Sequence, residues 1–195
     1  MGKTKNVGLY FGSFNPIHSG HLMLANYMVE YTEIDELWFV VSPQNPFKKT
    51  NSLLSEIHRF AMVDRAIEGD DRFKASKIEF KLPKPSYTTD TLAHLAEKFP
   101  LIEFSLIMGA DNLTYLHKWK NVDFLIKNHT IYVYPRPNAK QGEYHNHPNI
   151  KLVDAPQIEI SASFIRKAIR EKKDVSWFLP KGAAQYIEEM NFYKK

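Results

Sequence analysis

The sequence predicts a doubly wound α/β fold, in which helices cover both faces of a mostly parallel sheet. Two observations support this prediction. Short β-prone apolar runs alternate with segments of helical spacing over the first two-thirds of the chain, as is typical of βαβ units with right-handed crossovers. After Pro156 only helical patterns remain. The chain has 195 residues, 44% of them hydrophobic and 25% charged, which is enough for one domain with a full core.

Each predicted element follows from a local pattern. Six apolar runs predict strands: Val7 to Phe11, Glu36 to Val41, Phe73 to Phe80, Ile102 to Met108, Thr130 to Tyr134 and Ile150 to Val153. Three sets of apolar residues spaced by about one helical turn predict helices: Leu22, Ala25, Met28 and Val29; Ile57, Phe60, Ala61, Val63 and Ile67; and Leu92, Leu95, Ala96 and Phe99. Two C-terminal helices are predicted from Ser161 to Lys172 and from Ala183 to Met190, after the break at Pro180-Lys181-Gly182. The prediction is therefore one Rossmann-like domain over residues 1–195, with a helical C-terminal part that begins at about residue 157.

Composition narrows the class of function. The chain contains no cysteine, which excludes disulfides, thiolate metal sites and cysteine nucleophiles and fits a reducing cytoplasm. It shows neither a signal-peptide pattern nor an apolar run of membrane-spanning length, so we expect a cytoplasmic protein with no membrane partner. Its formal net charge is +4, but the basic residues are scattered. This pattern suits small phosphorylated ligands better than nucleic acid, although ordinary solvated surface charge explains it as well.

The most informative segment is the loop after the first predicted strand, which we call the first loop (residues 12–21). In an open α/β sheet this loop lies at the edge where ligands bind. Gly12 allows close approach of the backbone to a ligand. His18 and His21 are three residues apart at a helix entry, where they can face one pocket and add two donors to the free N–H groups of the helix N-terminus. The alternative is that both histidines only cap or pack.

Other familiar sites are absent from the sequence. There is no G-x-x-x-x-G-K-[ST] or G-x-G-x-x-G motif, so neither a P-loop enzyme nor an ordinary dinucleotide-binding protein is indicated. There is no H-E-x-x-H zinc motif. His145 and His147 lie in a polar stretch that predicts a surface loop, and we predict no protein-held metal site.

The first loop, Gly12-Ser13-Phe14-Asn15-Pro16-Ile17-His18-Ser19-Gly20-His21, resembles the G-[ST]-F-[DN]-P-x-H-x-G-H signature of the nucleotidylyltransferase superfamily. Further stretches are similar, in the same order, to those of bacterial nicotinate-nucleotide adenylyltransferases: Pro85-Ser86-Tyr87-Thr88, Met108-Gly109-Ala110-Asp111, Trp119, Tyr134-Pro135-Arg136-Pro137 and Ile160-Ser161-Ala162-Ser163-Phe164-Ile165-Arg166. The resemblance covers nearly the full chain.

The resemblance implies a reaction and its partners. AMP is transferred from ATP to nicotinate mononucleotide, which gives deamido-NAD and pyrophosphate in NAD biosynthesis, with Mg²⁺ on the ATP phosphates. No covalent enzyme intermediate is needed, so catalysis depends on positioning and on stabilisation of charge. The catalytic residues implied are His18, His21 and Arg166. The oligomeric state is not predicted, and a homo-oligomer stays open.

The resemblance also implies two binding regions. ATP would contact Gly12, Ser13, Phe14, His18, His21, Gly109, Asp111, Arg136, Ser161, Ser163 and Arg166. Here spacing adds its own reason, because Ser161 or Ser163 can cap a helix that presents N–H groups and Arg166 to phosphates; a plain capped amphipathic helix is the alternative. The acceptor would contact Thr88, the ring of Trp119 and the backbone amide of Lys120. Lys48 stands where the family places a histidine, and it either reaches a phosphate or is a solvated loop charge.

Three other functions are open at this stage. An adenylyltransferase acting on nicotinamide mononucleotide differs only in one substituent of the acceptor. A phosphopantetheine adenylyltransferase shares the signature of the first loop but is not expected to match at Pro85 to Thr88 and at Trp119. A non-catalytic nucleotide-binding or RNA-binding module should not need both the histidine pair and Arg166.

Overall fold

The computed structural model describes residues 4–43, 53–83 and 86–194. Within these residues six strands form one sheet, in which all neighbouring strands are parallel. The strands are β1 (Lys5–Gly12), β2 (Glu36–Val41), β3 (Phe73–Ser76), β4 (Ile102–Gly109), β5 (Ile131–Tyr134) and β6 (Ile150–Leu152). The α-helices are α1 (Ser19–Tyr31), α2 (Glu56–Ala66), α3 (Thr88–Lys98), α4 (Ala110–Thr114), α5 (Val122–Asn128), α6 (Ala162–Arg170) and α7 (Lys181–Glu189). The predicted Rossmann-like α/β fold is confirmed.

The strand order places a ligand cleft at a definite point of the sheet. The order is β3-β2-β1-β4-β5-β6, so the chain moves outward from β1 in one direction and, after β3, continues from β4 in the other. The loops that follow β1 and β4 therefore lead away from each other. A crevice opens between them at the carboxyl ends of the two strands, where such sheets bind ligands.

The core has two halves, one on each face of the sheet. Alternate side chains of a strand point to opposite faces. Tyr10 and Phe39 pack with residues of α1, α2, α6 and α7. Leu9 and Trp38, their neighbours in sequence, pack on the other face with residues of α3, α4 and α5. This double covering explains why the central strands are apolar throughout and not alternating.

The C-terminal helix α7 lies against α2. Arg65 of α2 and Glu189 of α7 form an ion pair of 2.7 Å, and the hydroxyl of Tyr186 lies 3.0 Å from Nδ1 of His58. Ile187 is buried at 4% exposure in the same contact. The chain that follows α7 is thereby brought next to the first loop, far from it in sequence.

One predicted strand was too long, and two short helices were missed. The predicted strand from Phe73 to Phe80 ends at Ser76, and residues 78–81 form a 3₁₀ helix that turns the Glu79 side chain toward α3. The short helices α4 and α5, of 5 and 7 residues, were not predicted. Both are shorter than the window in which a helical period can be recognised. In the described part of the chain, no helix has the length and apolar character needed to cross a membrane.

Candidate active site

A cleft of about 1010 Å³ opens at the carboxyl ends of β1, β4 and β5. It is lined by the first loop and by the N-terminal residues of α3, α4 and α6. The residues predicted for ATP and acceptor that the structure describes all line it: Gly12, Ser13, Phe14, His18, His21, Thr88, Gly109, Asp111, Trp119, Lys120, Arg136, Ser161, Ser163 and Arg166. Lys48 and Pro85 lie outside the described residues. The fold thus gathers segments separated by more than 150 positions into one space.

The first loop is shaped by a buried aromatic side chain. Phe14 has φ 44°, in the left-handed region, and its ring is 2% exposed. The ring packs edge-on against Phe39 and against His21, with centroid separations of 5.6 Å and 5.1 Å. A Cβ on Gly12 would lie 2.7 Å from the Phe14 ring. Gly12 therefore makes room for Phe14, and Phe14 supports His21.

The two histidines of the first loop form a stacked pair at the start of α1. Their ring centroids are 3.6 Å apart with an interplanar angle of 26°. The backbone N–H of His18 donates to Nδ1 of His21 at 3.1 Å. Because Nδ1 accepts this bond, the neutral His21 ring carries its proton on Nε2 and is a donor there. The pair is therefore oriented by the helix end itself.

His18 is uncharged at neutral pH. It is only 6% exposed, and burial, with a smaller contribution from the Arg136 charge, lowers its pKa from 6.5 to about 4. A neutral stacked pair avoids repulsion between two imidazolium rings. Any stabilisation of phosphate by His18 is thus hydrogen bonding by a neutral ring and not ion pairing.

This depressed pKa predicts a pH-dependent stability. Below about pH 6.5 the unfolded chain binds a proton at His18, whereas the folded chain binds it only near pH 4. The free energy of unfolding therefore falls as the pH falls. Between pH 7 and pH 5 the loss attributable to His18 is about 2 kcal/mol. In urea unfolding at both pH values, the free energy of unfolding of wild type should fall by about 2 kcal/mol more than that of His18→Gln. His94→Gln, at an exposed histidine outside the cleft, should keep the wild-type loss. Equal losses for all three proteins would contradict the assignment.

The N-terminus of α6 points into the cleft. The sequence left open which serine caps it: Ser161 does, since its Oγ accepts from the backbone N–H of Phe164 at 3.2 Å. Ser163 Oγ instead accepts from Nη2 of Arg166 at 3.2 Å. Nη1 of Arg166 donates to the backbone oxygen of Asn15 at 2.7 Å. Arg166 therefore connects α6 to the first loop, beside the uncapped N–H groups of both helices.

The end of β4 and the segment after β5 form another wall. A Cβ on Gly109 would lie 2.4 Å from Oδ1 of Asp111 and 3.0 Å from Cγ of Arg136, so a larger residue there would displace the Asp111 carboxylate from its present place. Nε of Arg136 is 4.0 Å from Asp111 Oδ1. Its Nη2 donates to the hydroxyl of Tyr134 at 3.2 Å, and its guanidinium lies over the Tyr134 ring. This wall offers a planar cation and an exposed carboxylate to a ligand.

The opposite side of the cleft carries the predicted acceptor residues. Thr88 is the first residue of α3, and Trp119 is partly buried at the end of a 3₁₀ turn. The two segments are joined by an ion pair, because Nζ of Lys120 lies 3.0 Å from Oδ2 of Asp90 and over the ring of Tyr87. The side chain of Lys120 is thus engaged, which is consistent with a ligand role for its backbone amide. The roles of Thr88, Trp119 and Lys120 toward a ligand stay predictions.

Two buried charged side chains near the cleft were missed. Arg59 is fully buried and donates to four backbone oxygens, of Leu54, Ser13, Ser42 and Pro43, at 2.7–2.9 Å. It holds the first loop and the chain after β2 together. A signal existed in the sequence, since Arg59 lies one helical turn before Met62 and Val63 on the buried stripe of α2.

Glu79 is the second of these residues and lies at the floor of the cleft. It is 3% exposed, and the hydroxyl of Thr91 donates to its Oε1 at 2.9 Å. Burial raises the pKa of the Glu79 carboxyl, and hydrogen bonds from neighbouring hydroxyls oppose the rise. This hydrogen bond connects Glu79 to α3, the helix that begins at Thr88.

Comparison with known proteins shows that a chain with this fold and cleft is a nucleotidyltransferase. A family model described as cytidylyltransferase-like matches residues 9–168 of the chain. Among curated relatives, the probable nicotinate-nucleotide adenylyltransferase of Christiangramia forsetii is 55% identical over 193 residues, covering 98% of this chain and 100% of the relative. That of Flavobacterium psychrophilum is 52% identical over 191 residues, covering 97% and 99%. The chain therefore belongs to the cytidylyltransferase-like family and, within it, to the nicotinate-nucleotide adenylyltransferases.

A solved structure has the same fold. The nicotinic acid mononucleotide adenylyltransferase of Plasmodium falciparum, in complex with NaAD, aligns with a TM-score of 0.80 at 23% identity. The alignment covers 97% of this chain and 98% of that one. The arrangement of strands and helices is thus shared at a low level of sequence identity.

Proposed function

We propose that this protein transfers AMP from ATP to nicotinate mononucleotide, forming nicotinate adenine dinucleotide and pyrophosphate. The observation that carries the proposal is the continuity of the cleft. One half of the cleft, built from the first loop and α6, opens directly onto a half that carries Trp119 and the start of α3, and we assign the first half to the phosphates. A dinucleotide-forming reaction needs both halves in one space, because each holds one of the two nucleotides.

In the proposed reaction a phosphate oxygen of nicotinate mononucleotide attacks the α-phosphorus of ATP. The new P–O bond joins the two nucleotides, and the bond between the α-phosphorus and the bridging oxygen breaks as pyrophosphate leaves with its electron pair. Charge increases on the pyrophosphate oxygens during this step. Neutral donors aimed at these oxygens stabilise that charge without being reorganised.

The residues of the first loop and α6 supply such donors. Nε2 of His21 is held as a donor by the bond at its Nδ1, and His18 is stacked on it. Backbone N–H groups at the starts of α1 and α6 and the guanidinium of Arg166 add positive potential. We therefore assign His18, His21 and Arg166 to the triphosphate, and the wall of Asp111 and Arg136 to the adenosine.

The acceptor half supports recognition of a flat, acidic ring. Trp119 presents an indole on which a pyridine can stack. The backbone amide of Lys120 and the N-terminus of α3 at Thr88 supply donors for a carboxylate. This donor-rich arrangement favours nicotinate mononucleotide over its amide, since an amide brings hydrogen-bond donors of its own.

Magnesium enters the proposal as part of the co-substrate. Among the residues that the structure describes, no group of three or more His, Cys, Asp or Glu could hold a metal ion. Mg²⁺ retains several waters and is commonly bound through substrate phosphates. We therefore propose that Mg²⁺ arrives with ATP and that the protein contacts the phosphates around it. A cytoplasmic location belongs to the same proposal and is supported by the absence of cysteine.

The test is pyrophosphate release from Mg²⁺-ATP with each of three acceptors, offered separately. We expect nicotinate mononucleotide to give the highest kcat/KM, about tenfold or more above nicotinamide mononucleotide, because the amide cannot replace a charge-assisted hydrogen bond. Phosphopantetheine should give no release above background. A faster reaction with the amide or with phosphopantetheine would reassign the acceptor. No release with any of them would overturn the enzyme proposal in favour of a binding module.

A further inference from the structure

The back of the first loop is held by three side chains from later parts of the chain. Nη1 of Arg59 donates to the backbone oxygen of Ser13 at 2.7 Å, and Nη1 of Arg166 donates to that of Asn15 at 2.7 Å. The hydroxyl of Tyr193 donates to Oδ1 of Asn15, also at 2.7 Å. The first two are arginines near the cleft. The third comes from the chain that follows α7.

Tyr193 is placed by the packing of its own segment. The ring of the preceding Phe192 contacts the ring of His58 on α2, with a centroid separation of 4.8 Å. Tyr193 itself has φ 63°, in the left-handed region. Burial raises the pKa of the Tyr193 phenol well above its usual range, while Arg166 and Arg59 lower it. The hydroxyl therefore keeps its proton at neutral pH and donates it.

Asn15 is the point through which this contact reaches the catalytic residues. It is 4% exposed, and its Oδ1 accepts from the backbone N–H of Leu54 at 3.3 Å as well as from Tyr193. Its backbone oxygen holds Arg166, and three positions later the chain reaches His18. A shift of Asn15 would move Arg166 and His18, two of the three residues that we assign to the triphosphate. Misplacement by about 1 Å can cost about 100-fold in rate.

We infer that Tyr193 is a positioning residue for AMP transfer, which holds the first loop in its catalytic geometry through the hydrogen bond to Asn15. The inference rests on the proposed function, because it assigns the first loop to the ATP phosphates. It gives the segment after α7 a kinetic role in addition to its packing role.

The first experiment compares two variants that each lose one tyrosine hydroxyl. Tyr193→Phe removes the bond to Asn15 and leaves the ring. Tyr186→Phe removes the bond to His58 in the same C-terminal region without touching the first loop. We expect Tyr193→Phe to lower kcat about tenfold and to weaken ATP binding about threefold, while Tyr186→Phe changes each less than about twofold. Unfolding midpoints in urea should fall by similar amounts in both variants.

The second experiment asks whether Tyr193 acts through Asn15. In an Asn15→Ala background, Tyr193→Phe should cause no further loss of kcat, since the bond is already absent. A merely structural tyrosine would instead add its full loss in that background. Such additivity, or a Tyr193→Phe enzyme with the kcat and ATP affinity of Tyr186→Phe, would overturn the inference.

Failure of the proposed function would look different. Wild-type turnover is measured first with the three acceptors, and the comparison of variants uses whichever acceptor reacts. Should none react, the proposed function fails, and calorimetric titration with Mg²⁺-ATP decides the inference alone. Weaker binding of ATP by Tyr193→Phe than by Tyr186→Phe would then still support the positioning of the first loop by Tyr193, though not its role in AMP transfer, and equal affinities would overturn both.

Discussion

His21→Ala is expected to lower kcat by about 100-fold or more, with little change in the free energy of unfolding. The reason is geometric. The bond from the His18 backbone N–H fixes the tautomer of His21, and the Phe14 ring supports its plane. The donor at Nε2 is therefore held in place before ATP binds. Alanine removes this donor from the transition state, whereas the partly exposed ring contributes little to the core.

The measurement is steady-state pyrophosphate release at saturating ATP and acceptor. His18→Ala should show a loss of similar size, but His21→Ala is the clearer test because His18 is more deeply buried and its removal leaves a void. The matched control is His94→Ala, at an exposed histidine of α3 outside the cleft, with wild-type kcat expected. Rates within about threefold of wild type for both first-loop variants would return the two histidines to a capping and packing role.

Arg59→Met is expected to lower the free energy of unfolding by about 3–5 kcal/mol. Methionine fills much of the same volume but cannot donate. Arg59 now donates to four backbone oxygens: one in the first loop, two directly after β2 and one just before α2. In the variant these oxygens would lose their donor inside the protein. Unsatisfied buried carbonyls are more costly than the net strength of the bonds suggests.

Urea unfolding at neutral pH measures this loss. Arg65→Met is the matched control: it lies on the same helix, two-fifths of its side chain is exposed, and its ion pair with Glu189 is at the surface. We expect that control to lose less than about 1 kcal/mol. A loss for Arg59→Met no larger than that of Arg65→Met would mean that water or rearranged backbone replaces the guanidinium.

The same contacts relate stability to catalysis. Arg59 and Tyr193 both hold the first loop, but they do so from different environments. Arg59 is buried, and no other group replaces its hydrogen bonds when it is removed. Its loss should therefore affect folding first. Tyr193 contributes one hydroxyl to a segment already packed by Phe192, so its loss should appear mainly in kcat. The Arg59 variant therefore reports on the stability of the fold around the cleft, and the Tyr193 variant reports on the positioning of the first loop for catalysis.

The sequence by itself determined the strand and helix pattern and the place of the first loop, and its resemblance to a known family indicated many of the residues that line the cleft. These depend on local rules: apolar spacing within a few residues, and motifs in which the residues that share a task are close together in the chain. The boundary error at Phe80 and the omission of the short helices α4 and α5 occurred where the local pattern was too brief to be recognised.

The tertiary structure alone decided how the first loop is held. Tyr193 and Asn15 are 178 positions apart, and no spacing rule connects them. Arg59 was visible as a charge on an apolar stripe, but only the meeting of four backbone oxygens around it explains how that charge is accommodated. Ser161 and Ser163 were equivalent in the sequence, and the direction of α6 assigned the cap to the first and the Arg166 contact to the second. Such contacts depend on where the elements pack, which is a property of the whole sheet and its helices and not of any one segment.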